Sequence, residues 1–304
     1  MVRYAVLVLA GAVLFGTTGT TQAFAPDGAS SVSIGMARLG FGGLILGIIG
    51  CVSWWRRRHN LKRCTWKEGL AVGVGAMVVL IYQWTFFAGA RSNGVMVGTV
   101  IALGSSPVFT GLIEWLVLRN RPGLRWLLAT VLAVAGVVAL SWTTGQRVQI
   151  DPLGVVLSLA SGGCYAILAV ATKWLLNQGW RSDDIAEAVM GVGAGPALIV
   201  LSMTNTTWLA TGRGIGVTAW MSIATLAAAY LLMVAGMREM SAATATTLGL
   251  AEPATATVLG VTVLSEAMTL ARGAGLALIA AGVLVLSLAT RTQRNDSSTI
   301  ETRQ

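Results

Sequence analysis

Residues Pro253 to Ser287 repeat an earlier stretch of the same chain. Shifted back by 146 positions they fall, without a gap, on Pro107 to Ser141. Pro253 lands on Pro107, Val263-Leu264 on Val117-Leu118, Ala281-Gly282-Val283 on Ala135-Gly136-Val137, and Leu286-Ser287 on Leu140-Ser141. Each copy reads as an apolar helix with a proline near its middle, a short polar turn, and a second apolar helix rich in small residues. A repeat on this scale means that one structural unit is built twice.

The solvent for both units is a bilayer. The 304 residues are 55% hydrophobic and 11% charged, with mean hydropathy +0.74, whereas a soluble domain carries about a quarter charged residues. A spanning helix takes about 20 mostly apolar residues. That criterion predicts an all-α integral membrane protein with ten transmembrane helices over 4–24, 31–53, 69–90, 95–118, 124–142, 153–175, 183–203, 218–237, 242–264 and 270–290. The first has the look of a signal peptide, with Arg3, an apolar stretch and Ala23-Phe24-Ala25. Pro26 disfavours cleavage, and Leu9 to Gly16 has a counterpart at Leu159 to Ala166, Phe15-Gly16 matching Tyr165-Ala166; this helix is expected to be retained. The tail from Arg291 to Gln304 is polar and expected to be irregular.

The net charge of +9 does not point to nucleic acid, because the basic residues sit in short loops between apolar runs, where they set orientation. With the N-terminus cytoplasmic, sixteen of the 21 Lys and Arg residues fall on the inner side, including Arg56, Arg57, Arg58, Lys62, Arg63 and Lys67 between the second and third helices. Arg91, Arg147, Arg213 and Arg272 fall outside, and Arg38 lies within a helix. Both termini are therefore expected in the cytoplasm of a cell whose cytoplasmic membrane holds the protein. Five helices per unit is an odd number, so the second unit enters the membrane inverted. The expected division is 1–146 and 147–290, two inverted five-helix repeats, with a polar cytoplasmic tail at 291–304. Inverted repeats are a common build for secondary transporters, whose substrate sites lie near the midplane where the repeats meet.

The spacing from Ala251-Glu252-Pro253 to Leu264-Ser265-Glu266 to Ala281-Gly282-Val283, echoed by Ser106-Pro107, Leu118-Arg119-Asn120 and Ala135-Gly136-Val137, resembles the EamA-type branch of the drug/metabolite transporter superfamily. Arg38 also resembles an arginine that the family often has in its second helix. The first copy departs by having Asn120 where a glutamate is usual. The resemblance implies a ten-helix carrier, most often an exporter of amino acids or other small metabolites.

The residues themselves leave their roles open. Arg38 is the one basic residue well inside a helix; a charge at that depth costs at least about 2.5–3.5 kcal/mol on insertion scales. Glu252, at the expected midplane, is its natural partner. The two can form a structural ion pair, or Arg38 can meet a substrate carboxylate while Glu252 exchanges protons. Pro107 and Pro253 each remove a backbone hydrogen bond in mid-helix, either as tolerated kinks (Ser105 and Ser106 standing by to repair the first) or as hinges that gate a cavity. Tyr82, Gln83 and Trp84 in the third helix, Tyr165 in the sixth and Tyr230 in the eighth supply aromatic walls with polar tips, as either bundle packing or a small-molecule cavity requires. Glu114, beside Trp115, reads as interfacial; Lys173 and Glu266 sit at helix ends, where they can snorkel toward membrane lipids. Gly42, Gly43, Gly47, Gly69, Gly73, Gly191 and Gly195 are spaced for close helix approach.

No Walker motif is present, and Gly212-Arg213-Gly214-Ile215-Gly216 follows no strand, so it is not a nucleotide fingerprint. The three cysteines, Cys51, Cys64 and Cys164, have no metal-ligand spacing, and His59, in the basic loop, is the only histidine. No cofactor or metal is implied. An intramembrane enzyme would need clustered nucleophile, base or ligands, which the sequence lacks. A carrier, a channel and a lipid-binding scaffold without alternating access all fit the composition.

Overall fold

A computed structural model describes residues 2–57, 64–141 and 151–301, the side chains over a slightly smaller set. His59, Arg58, Lys62, Arg63, Arg147 and Arg303 lie outside the described residues, as does the expected unit boundary at 146/147. Every described element is helical: α1 Val2–Ala23, α2 Ser31–Arg57, α3 Trp66–Asn93, α4 Val95–Leu118, α5 Leu124–Leu140, α6 Pro152–Asn177 and α7 Ser182–Ser202. There follow α8 Gly212–Glu239, a ninth helix in two pieces, α9a Ala242–Gly249 and α9b Ala251–Val263, and α10 Leu270–Glu301. In hydrocarbon every backbone polar group must find a partner within the segment, which is why the apolar runs emerge as helices. Seven of them are long and apolar enough to span a bilayer, and α5 and the apolar part of α10 (Leu270–Leu286) are shorter. With the broken ninth they make the ten-helix membrane protein.

The starts are chemically marked. Thr65 and Glu68 form a capping box at α3, with Thr65 N–H donating to Glu68 Oε2 at 2.8 Å. Asp151 caps α6 just ahead of Pro152, which has no N–H to leave unsatisfied. Gly212 opens α8 under a cap from Thr211, so the Gly-Arg-Gly run is a first helical turn rather than the loop the sequence suggests. At the other end α10 stays helical through Glu301. Over residues 291–301 the expectation of an irregular tail is thus corrected, since a helix can satisfy its own backbone without other partners.

Two pairs of corresponding helices, α5 with α10 and α2 with α7, pack antiparallel across the two halves. At the α5–α10 contact, a Cβ on Gly136 would lie 2.7 Å from the Gly275 carbonyl, and one on Gly282 would lie 2.8 Å from the Ala129 carbonyl. The 146-residue shift carries Gly136 to Gly282 and Ala129 to Gly275, so each half presents the same pair of positions to the other. That reciprocity belongs to a two-fold axis. The α2–α7 contact is built the same way, with Gly43 against the Met190 carbonyl and Gly47 against Gly191. α3 lies along α6, and α8 along α1, by the same exchange. Gly42, Gly43, Gly47 and Gly191 are thus at close approaches as expected. Gly73 and Gly195 face open space and Gly69 only Cys64, so those three do not serve packing between helices.

Candidate functional site

A cavity of about 90 Å³ lies between the halves, walled by α1, α2, α3, α6, α7, α8 and α9b. Arg38, Tyr82, Gln83, Tyr165, Tyr230 and Glu252 all line it. Six of the seven residues expected at a substrate site are therefore brought together from five helices. Trp84 is not among them. Its side chain is 64% exposed on the outer surface of α3, because one residue beyond Gln83 the helix has turned a further ~100°.

Arg38 is held at one edge of the cavity. Its Nη2 donates to the Thr225 carbonyl at 2.7 Å, and its guanidinium sits 5.5 Å from the centre of the Phe15 ring, close enough for a cation–π contact. Thr225 lies in a π-helical segment of α8, Ile223–Ala228; such wide turns are frequent at functional sites. Nε of Arg38 is buried with no hydrogen-bond partner. Glu252 lines the same cavity from the first turn of α9b, just beyond the break at Leu250. Among the described residues Arg38 forms no ion pair with Glu252 or any other carboxylate, so the structure does not contain the direct bridge that the sequence allowed. Both charges border the cavity instead.

The remaining polar groups are fixed by neighbours. Gln83 Nε2 donates to the Gly35 carbonyl at 3.2 Å, and the Tyr230 and Thr172 hydroxyls lie 3.0 Å apart. Tyr82 stacks on Phe86 with ring centres 5.8 Å apart and leans on Tyr165 at 6.3 Å. Phe15, Met190, Met233 and Met237 complete apolar walls that sequence reasoning did not assign. Phe15 was within reach of it, since the repeat pairs it with Tyr165. The methionines carried no such signal.

The two prolines differ. Pro107 leaves α4 continuous, and Ser106 Oγ donates at 2.9 Å to the Leu103 carbonyl, the acceptor the missing N–H would have served. Pro253 lies in the third position of α9b, after a real interruption of the ninth helix at Leu250. The expected pair of mid-helix breaks is thus one repaired kink and one discontinuity. Two further charges also sit elsewhere than expected. Glu114, expected at the interface beside Trp115, is 1% exposed and turned into the protein. Lys173 donates to backbone carbonyls at the end of α8 rather than snorkelling.

Charges gathered at a broken helix between two antiparallel halves are how membrane transporters build a site in mid-bilayer, and the chain's relatives are of that class. It belongs to the EamA-like transporter family, which it matches twice, over residues 2–142 and 152–288. It is 35% identical over 294 residues to a Bacillus subtilis (strain 168) protein named "Uncharacterized transporter YwfM", with 96% of each chain covered. A solved structure at 17% identity shares the fold, with TM-score 0.77 over 95% of this chain and 98% of its own.

Proposed function

We propose that this membrane transporter is a secondary exporter that moves amino acids or related small metabolites and drugs across the cytoplasmic membrane by alternating access, both termini facing the cytoplasm. The reading rests on one observation above the others: Arg38 and Glu252 border a single aromatic cavity without pairing. Buried charges need compensation, and a ligand carrying a carboxylate, an amine or both supplies the direct partner that these side chains do not give each other. Tyr82, Tyr165 and Tyr230 pack against the ligand's apolar part, Gln83 adds a polar contact, and Glu252 carries the coupling proton.

The experiment is solute flux in proteoliposomes. Saturable counterflow of a trapped amino acid or amphipathic metabolite is the expected result, while ohmic conductance without counterflow would make the protein a channel. A reporter active only outside the cytoplasm, fused after Arg294, should be silent; activity there would reverse the orientation.

A further inference from the structure

The corner between α8 and α9a, Met237 to Ala243, is tied to the bundle by charged groups from two sides. Glu114, near the end of α4, accepts from the Ala242 N–H through Oε1 at 3.2 Å and from the Ala243 N–H through Oε2 at 2.7 Å. Asn120 Nδ2 donates to the same Oε1 at 3.2 Å. From α6, Lys173 Nζ donates to the carbonyls of Met237 at 2.9 Å and Arg238 at 3.2 Å. A carboxylate thus meets the amino end of one helix and an ammonium the carboxyl end of the other, each the favourable sign for the local dipole. Between the ties, Met233, Met237 and Met240 pack with Val8, Val170 and Leu248 into an apolar plug. Met237 belongs both to this plug and to the cavity wall, so the plug closes the cavity at this end.

The opposite end is built differently. The 146-residue shift carries Glu114 to Gly260 and Asn120 to Glu266. Glu266 pairs with Arg272 at 2.9 Å, and α4, the counterpart of α9, starts at Gly94 with no side-chain cap. A carboxylate grips the start of α9a, whereas the α3–α4 corner is held by a neutral side chain, Asn93, which donates to the Asp151 carbonyl at 3.1 Å and accepts from the Asp151 N–H at 2.6 Å.

The geometry points to Glu114 as the latch of a gate at the α8–α9a corner, a positioning residue that acts on substrate only through that corner. Opening the cavity there requires the corner to leave α4 and α6, which strips Glu114 of two backbone donors in a buried setting. Charge-assisted bonds of this kind are among the stronger ones and are expensive to leave unmade. Lys173 is the second tie, and the methionines, soft and unbranched, can repack as the corner moves.

The inference rests on the alternating-access reading, and a native thiol tests the latch. Cys164 lines the cavity, whereas Cys51 and Cys64 are exposed. In full-length protein carrying Cys51→Ser and Cys64→Ser, in vesicles of known sidedness, a membrane-impermeant methanethiosulfonate reports access to Cys164 from either face. Slow labelling from the face that bears the α8–α9a corner is expected, rising about tenfold or more in Glu114→Ala. Lys173→Met should raise it too, and Glu114→Gln, which keeps one acceptor oxygen, should raise it less. Unchanged labelling from that face in the folded variants overturns the latch and leaves alternating access standing. Should Glu114→Ala fail to fold, Glu114→Gln and Lys173→Met decide by the same criterion. Wild-type protein labelled equally fast from both faces overturns the latch, while failure of saturable counterflow in the proteoliposome assay is what overturns alternating access.

Discussion

Arg119 and Ser265 stand 146 residues apart, and both hold left-handed backbone, at φ 56° and 57°. Arg119 ends α4, and Ser265 follows Leu264 at the end of α9b. Among the described residues these are the two non-glycine positions with positive φ, so the repeat has reproduced a strained turn along with the helices around it.

An L-residue in this conformation costs on the order of 1–2 kcal/mol, which glycine does not. Ser265→Gly should therefore raise stability in detergent by about 1 kcal/mol, and the β-branched Ser265→Val should lower it by at least as much. Melting temperatures of the purified variants check this. A neutral Ser265→Val would mean that the turn is not held left-handed.

The α5–α10 contact leaves no room for a methyl group. A Cβ at Gly136 or Gly275 would meet the other residue's carbonyl oxygen at 2.7 Å, and backbone on both sides cannot give way cheaply. Gly136→Ala and Gly275→Ala should each cost about 1–3 kcal/mol. Gly273→Ala, with open space around it, should cost almost nothing. Equal melting temperatures for all three would contradict the packing.

The cavity charges should separate in transport assays. Arg38→Ala should abolish saturable counterflow of anionic or zwitterionic solutes while the protein still folds. Glu252→Gln should remove the response of net flux to a pH gradient and permit exchange. Trp84→Ala, on the outer surface, should leave the KM of counterflow within about twofold, because truncating an exposed side chain changes binding little. A larger loss there would return Trp84 to the site.

The prolines should not be equivalent. Pro107→Ala restores a donor to a carbonyl already served by Ser106, so flux and folded yield should barely change. Pro253→Ala lets the ninth helix run on across Leu250, and flux should fall while folded yield holds. Identical flux in both variants and wild type would assign both prolines to packing alone.

Much of this architecture is legible in the sequence. Bilayer thickness dictates how long an apolar run must be, so most spans appear within a few residues of the helices, the start of α8 and the end of α10 excepted, and the charge cost of Arg38 and Glu252 marks them as functional candidates before any fold is known. The direction in which a side chain points is another matter. In water, a helix advertises its buried face by an apolar stripe. In a membrane the lipid side is as apolar as the core, so nothing local tells Trp84, which faces outward, from Tyr82 and Gln83, which face the cavity. Glu114 shows the same limit: its position beside Trp115 suggests an interface, yet the donors that bury it come from a helix 128 residues away. The absence of a bond between Arg38 and Glu252, the π segment that receives Arg38, and the break at Leu250 beside a proline whose counterpart is repaired were likewise decided by the tertiary structure. Each depends on which backbone groups the packed helices leave within reach.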